Sequence, residues 1–183
     1  MSSYCDITTI KMIYFAYFHS LLQYGIAFWG NSTKVLKYLN YKKRVLRLKT
    51  GSNVRTSCRP LFPMLGIMTL PSQYTFSLMR FLSRNLQFYT FTSTIHNYNT
   101  RNRILLHNPS SLLTIYQKGL YYESVGVFNK LPHHIAELIS HNKSFLTKLK
   151  KYLLTKSLLF NRRIYEWSLG RMRCDSILSL GNS

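Results

Sequence analysis

The sequence predicts a mainly α fold, with three or four long helices around one core and a long irregular central loop. Three observations carry that expectation. Apolar residues recur at spacings of three and four over several long windows. Gly30, Gly51 and Pro71 punctuate those windows where helices end or begin. Finally, 46% of the 183 side chains are hydrophobic, against only 8 Gly and 5 Pro, which is the composition of a packed chain rather than a disordered one.

The first helix is expected from about Ile7 to Trp29, ended by Gly30-Asn31. Ala16, His19, Ser20, Gln23 and Ala27 repeat every three or four residues and form a small, polar stripe. Phe15, Phe18, Leu22, Ile26 and Trp29 occupy the other faces. A buried helix packed closely against protein along the stripe explains both features. The same segment carries no charge from Met12 to Thr33 and is long enough to span a bilayer. A small basic membrane protein with a span at 12–30 is therefore a competing reading, and the polar residues in mid-segment argue against it. It does not resemble a cleaved signal, since no basic residue precedes Lys11 and no small-residue cleavage site closes the run.

Ser32 or Thr33 caps a second helix, "TKVLKYLNYKKRVLRLKT", stopped by Gly51. Val35, Leu36, Leu39, Val45, Leu46 and Leu48 form its apolar side, and Lys34, Lys37, Lys42, Lys43, Arg44, Arg47 and Lys49 the rest. Next comes a short helical turn broken by Pro60 and Pro63, then an extended link to Pro71. Pro71 opens a third long helix with Tyr74, Leu78, Phe81, Leu82 and Phe88 as its core stripe, and with Arg80 and Arg84 one turn apart on its side. Residues 90–117 are polar and too long for an ordinary connection, so they are either functional or mobile. "GLYYESVGVFNKLP" is apolar again, and spacing leaves strand or helical turn open. "HHIAELI" is a short helix, and Asn142 or Ser144 caps the last clear one. There Phe145, Leu149, Tyr152 and Leu153 oppose Lys148, Lys150 and Lys151. Residues 1–160 form the helical module, and 161–183, without sustained period, a poorly ordered tail.

Charge is the outlying property. Twenty-five Lys and Arg face five acids, a formal net charge of +20, and fifteen of the cations lie between Asp6 and Glu123 with no acid among them. A chain this basic repels itself, and a polyanion relieves that strain while releasing counterions. Nucleic acid is the first candidate partner, an anionic membrane surface the second. The basic helix 34–49 has no acid to form i to i+4 ion pairs, which sets it apart from a merely solvated helix. In the central loop, "HNYNTRNR" (96–103) combines arginine for phosphate, an aromatic face for bases and amides for base edges. The expected nucleic-acid contacts are Lys42, Lys43, Arg44, Arg47, Tyr98, Arg101, Arg103, Lys148 and Lys151.

Catalytic groups are scarce. The acids Asp6, Glu123, Glu137, Glu166 and Asp175 do not cluster as two-metal chemistry requires. No phosphate-binding glycine loop, zinc-helix motif or nucleophile elbow is present. Ser140-His-Asn-Lys143 matches S-x-x-K without its companion motifs, and His133-His134 are adjacent and so point apart. No catalytic residue, cofactor or metal ligand is expected in this chain. Cys5, Cys58 and Cys174 form no paired pattern, which favours a reducing compartment, nuclear or cytoplasmic.

The order of segments resembles the region downstream of the polymerase core in non-LTR (LINE-like, jockey-type) retrotransposon reverse transcriptases, over roughly residues 10–155. His19, Ser20, Leu22, Tyr24, Gly25, Trp29 and Gly30 match its H-S-x-L-x-Y-G-x-x-x-W-G pattern. Asn99, Thr100 and Arg101 match an Asn-Thr-Arg core. Asn129, Leu131 and Pro132 match a W-N-x-L-P box, with Phe128 where the family has Trp. The resemblance implies a thumb-like helical segment and C-terminal extension that grip template and primer. It also implies that fingers, palm and the metal-binding Tyr-Ala-Asp-Asp box would precede Met1. On that basis the chain is expected to be a truncated, non-catalytic fragment of an RNA-directed DNA polymerase that binds RNA or DNA. A decayed fragment without function is a further alternative.

Overall fold

The structure, a computed structural model, describes residues 7–30, 32, 35–53, 55–95, 103–108, 110, 113–117 and 119–155. It is mainly helical, as the periodicity predicts. Among the described residues there is no strand, only an isolated antiparallel bridge between Phe91 and Leu106.

The first helix is not continuous. Helix α1 (Ile7–Ile13) widens into a π-helical stretch, Tyr14–His19, and returns to α geometry in α2 (Ser20–Gln23). The chain then breaks at Tyr24-Gly25, where Gly25 takes φ 67°, before α3 (Ile26–Trp29). That φ suits a residue without Cβ, so the break is written into Gly25. The Trp29 indole Nε1–H donates to the Tyr24 carbonyl at 3.1 Å and ties the two sides of the break together. A Cβ at Gly30 would collide with the Tyr74 ring, so glycine here permits close approach of the segment to its neighbour.

The expected packing stripe is corrected as well. Ala16, Ser20 and Gln23 are exposed, and the buried side chains are Tyr14, Leu22 and Ile26. The π-helical turns hold more residues each than α turns and rotate every later side chain about the axis. Spacings of three and four counted across residues 14–19 therefore no longer define one face. Ser20 Oγ donates to the Ala16 carbonyl at 2.6 Å and to that of Tyr17 at 2.9 Å, alternatives to the regular helical ladder.

Helix α4 (Val35–Thr50) ends as expected at Gly51, φ 63°, with the Ser52 N–H returning to the Arg47 carbonyl at 3.1 Å. The short α5 (Leu61–Met64) buries Leu61 and Phe62. Helix α6 (Leu70–Arg84) is the central element and packs against α3 and α4. Thr69 caps it, its hydroxyl accepting from the Ser72 N–H, and Pro71 lies in the first turn. Tyr74, Leu78 and Leu82 are buried in the core. The helix stops before the expected end because Asn85 donates its side-chain amide back to the Phe81 carbonyl at 2.9 Å. Phe88, read as the end of the stripe, lies beyond that stop and is 66% exposed.

The central segment contains two short helices, α7 (Thr92–Ile95) and α8 (Thr114–Gln117). Residues 120–128, open between strand and helix in the sequence, form α9 (Leu120–Phe128). Then come α10 (His133–Ala136), a 3-10 turn and α11 (Asn142–Thr155). Both α9 and α11 pack on α6. The predicted tail 161–183 lies outside the described residues.

Two buried clusters replace the single core expected. The larger joins Leu78 and Leu82 of α6 to Val125 and Phe128 of α9 and to Phe145, Leu149 and Leu153 of α11. The smaller collects Tyr14, Leu46, Cys58, Leu61, Phe62, Leu65 and Ile67. Phe18 packs against both. Each fully buried Leu or Phe contributes about 1.5–3 kcal/mol, so the larger cluster dominates the stability.

Candidate nucleic-acid interface

The two basic helices present their cations differently. On α11, Phe145, Leu149 and Leu153 point fully inward, which leaves Lys148, Lys150 and Lys151 exposed on the opposite side. Both residues expected to make contacts on this helix, Lys148 and Lys151, are thus exposed to solvent.

On α4 the prediction for Lys42 is corrected. Its side chain is 0% exposed and cannot reach a phosphate on a bound polyanion. The ammonium donates to Gln73 Oε1 of α6 at 3.0 Å and lies 5.8 Å from the centre of the Tyr14 ring. Burial pushes the lysine down to about 7, so the amine sheds its proton near neutrality. The two acids among the described residues are elsewhere: Glu123 is buried in α9, and exposed Glu137 meets His133 at 3.0 Å. The physical reason for the inward turn is position, because Leu39, Lys42 and Leu46 share one face of α4.

Of the remaining α4 residues, Arg44 is exposed and Lys43 half-buried. Arg47 is half-buried, and its Nε–H donates to the Thr56 carbonyl at 3.0 Å, which fixes the loop after the helix. Arg47 therefore has a structural task in addition to any ligand contact.

His19, read in the sequence as a stripe and motif residue, is half-buried and feels a lysine from each of the two basic helices. Its imidazole is pushed down first by burial, then by Lys42 of α4 and Lys150 of α11, against an opposing hydrogen bond with Gln23. Its Nδ1 is buried without a hydrogen-bond partner. The ring is thus biased to the neutral form, flanked by cations from two helices. No spacing rule links residues 19, 42 and 150, which is why the sequence does not bring them together.

Arg103 is exposed, whereas Tyr98 and Arg101 lie outside the described residues. The chain on either side of 96–102 is firmly tied. The Thr92 N–H donates to the Leu105 carbonyl at 2.9 Å and the His107 N–H to the Thr90 carbonyl at 2.8 Å. Asn129 completes the tie from α9: its Oδ1 accepts from the Leu106 N–H and its Nδ2 donates to the Leu106 carbonyl, both at 2.9 Å. That two-pronged contact satisfies a partly buried backbone unit as a neighbouring strand would. Tyr89 stacks on Tyr121 at 4.5 Å, and its hydroxyl lies 2.7 Å from Ser124 Oγ, beside the same junction.

Among the described residues, no three His, Cys, Asp or Glu side chains converge to hold a metal, and no helix is long and apolar enough to cross a membrane. No family model, curated protein or solved structure matches the chain.

Proposed function

We propose that this protein is a non-catalytic, helical nucleic-acid-binding module of reverse-transcriptase descent. The observation that carries the reading is the uncompensated basic surface. Arg44, Lys148, Lys150 and Lys151 stand exposed on α4 and α11, with no described acid among them. Lys42 of α4 and Lys150 of α11 both act electrostatically on the His19 imidazole. Lys or Arg side chains free of ion pairs keep their full charge for phosphate, and release of counterions from the polyanion drives association.

The descent rests on the motif order, and the physical roles of the matched residues support it. Gly25 makes the break, Trp29 bridges it, Gly30 admits Tyr74, and Asn129 clamps Leu106. Each is a residue that the fold needs in place. A resemblance built from such positions speaks for architecture and leaves chemistry aside, in keeping with a fragment that grips nucleic acid without processing it.

Titration of labelled RNA and DNA oligonucleotides by anisotropy tests the reading. Dissociation constants of about 1–100 µM or tighter are expected, weakening linearly in log–log form as salt rises. Absence of binding at about 50 mM salt would overturn it.

A further inference from the structure

We propose that the cleft between α3 and the outer face of α6 takes one nucleotide of a single-stranded nucleic acid. The base would lie on Phe28, and its phosphate would be gripped by Arg80 and Arg84. This deepens the proposed nucleic-acid binding and rests on it.

The cleft has a volume of about 390 Å³, the size of a small-ligand site, and opens to solvent. Ser77, Arg80, Phe81 and Arg84 line one wall at helical spacing, and Ala27 and Phe28 line the facing wall. The two arginines sit one turn apart, roughly 6 Å between Cβ atoms, close enough to share a phosphate. Neither guanidinium has a hydrogen-bond or ion-pair partner among the described residues. Planar, charged forks of this kind suit phosphate oxygens. An Arg in the last turn of a helix also complements the helix dipole, which accounts for Arg84. It does not account for Arg80, which precedes that turn.

Phe28 supplies the other half of the argument. It is 78% exposed, yet the backbone that carries it is held on both sides. Ile26 is fully buried, Trp29 is bonded to Tyr24 and packs on Tyr38 at 4.9 Å, and Gly30 is pressed to Tyr74. With Ile26 fixed inward, Phe28 is fixed outward. A rigidly presented aromatic face beside two unpaired arginines is the chemistry of a base-stacking platform. A duplex hides its base faces, which selects a single strand as the occupant.

The experiment compares the full-length chain with F28A, F28W, R80A/R84A and, as a reference, K148A/K151A. The probes are a labelled single-stranded 12-mer, the same oligomer with abasic sites, its duplex, and polyglutamate as competitor. F28A is expected to weaken single-strand binding about ten- to hundredfold, with no change for the abasic strand or the duplex, and F28W to restore it. R80A/R84A is expected to weaken intact and abasic single strands alike and to reduce the salt slope by about 0.7, the value for the one phosphate the two arginines share. Unchanged melting temperatures confirm that the substitutions leave the fold intact, half-buried Arg80 included. If the parent chain binds and K148A/K151A weakens it while F28A and R80A/R84A do not, the cleft proposal is overturned and the basic-surface reading stands. Displacement of the oligomer by polyglutamate at equal charge would also overturn it. If the parent chain binds none of the oligomers, the underlying reading itself fails.

Discussion

Helices α4 and α11 look alike in sequence and behave differently in the fold. Each is a 14- to 16-residue basic amphipath with Leu and aromatic residues along one side. In α11 the inward stripe is wholly apolar, Phe145, Leu149 and Leu153, and every lysine stays outside. In α4 the inward stripe contains Lys42, held by Gln73 and the Tyr14 ring. The lesson is that residue position outranks residue type when a helix packs. A lysine at a stripe position goes inside if a polar partner and a ring await it, and it loses affinity for its proton in exchange.

The largest expected effect comes from forcing α11 to copy α4. Leu149→Lys places a charge in the larger apolar cluster, which Leu149 shares with Phe145 and Leu153. A loss of about 3–5 kcal/mol is expected, read as a collapse of the cooperative melt. A melting temperature near that of the parent would show that the larger cluster tolerates what α4 tolerates, and the distinction would fall.

The second effect is pH dependence. Lys42 is held down at about 7 in the fold against an ordinary value of 10.5, so between those limits the unfolded chain binds more protons. Stability therefore rises as pH climbs from 7 toward 10, by an amount on the order of a few kcal/mol, and the burial penalty is fully present below 7. His19, also held down, acts in the same direction at lower pH. Burial pushes the Tyr14 hydroxyl up, so beyond pH 10 ionisation of the unfolded tyrosine reverses the trend. Denaturant melts at pH 7, 8.5, 10 and 11 follow the whole curve.

Removing the inward lysine tests its cause. Lys42→Met combined with Gln73→Leu, which avoids stranding the amide, is expected to stabilise by about 1–4 kcal/mol at pH 7. It should also flatten the rise between pH 7 and 10. A destabilised, still pH-dependent variant would assign that rise to another group.

The smallest effect on stability belongs to the exposed face of α11. Lys148→Ala with Lys151→Ala should change the unfolding free energy by no more than about 0.5 kcal/mol per site. The same pair should weaken oligonucleotide binding and reduce the salt slope by about 0.7 for each single-strand phosphate that is no longer neutralised. Intact affinity would remove α11 from the interface.

Much of the architecture is readable without the fold. The end at Gly51, Pro71 in the first turn of α6, the stripe Tyr74, Leu78 and Leu82, and the α11 face all follow from punctuation and period. The break at Gly25 and the π-helical turn before it are not, because spacings of three and four presuppose regular α turns and carry no sign of where the winding changes. The candidate site is readable in part. Lys148 and Lys151 are exposed, as the period of α11 predicts, while the charge of Lys42 argues for the surface although its spacing from Leu39 and Leu46 places it inside. Arg80 and Arg84 are visible as a pair, but Phe28 lies some fifty residues away in sequence and no local pattern joins them.

What the sequence determined by itself is the helical class, most of the punctuation and the excess of positive charge, because these depend on composition, caps and short-range spacing. Tertiary structure alone decided which cations face water. It brought Lys42, Lys150 and His19 to one neighbourhood and set Phe28 opposite two arginines. The reason is physical: a side chain's solvation and charge state are set by what packs against it, and those neighbours come from distant parts of the chain.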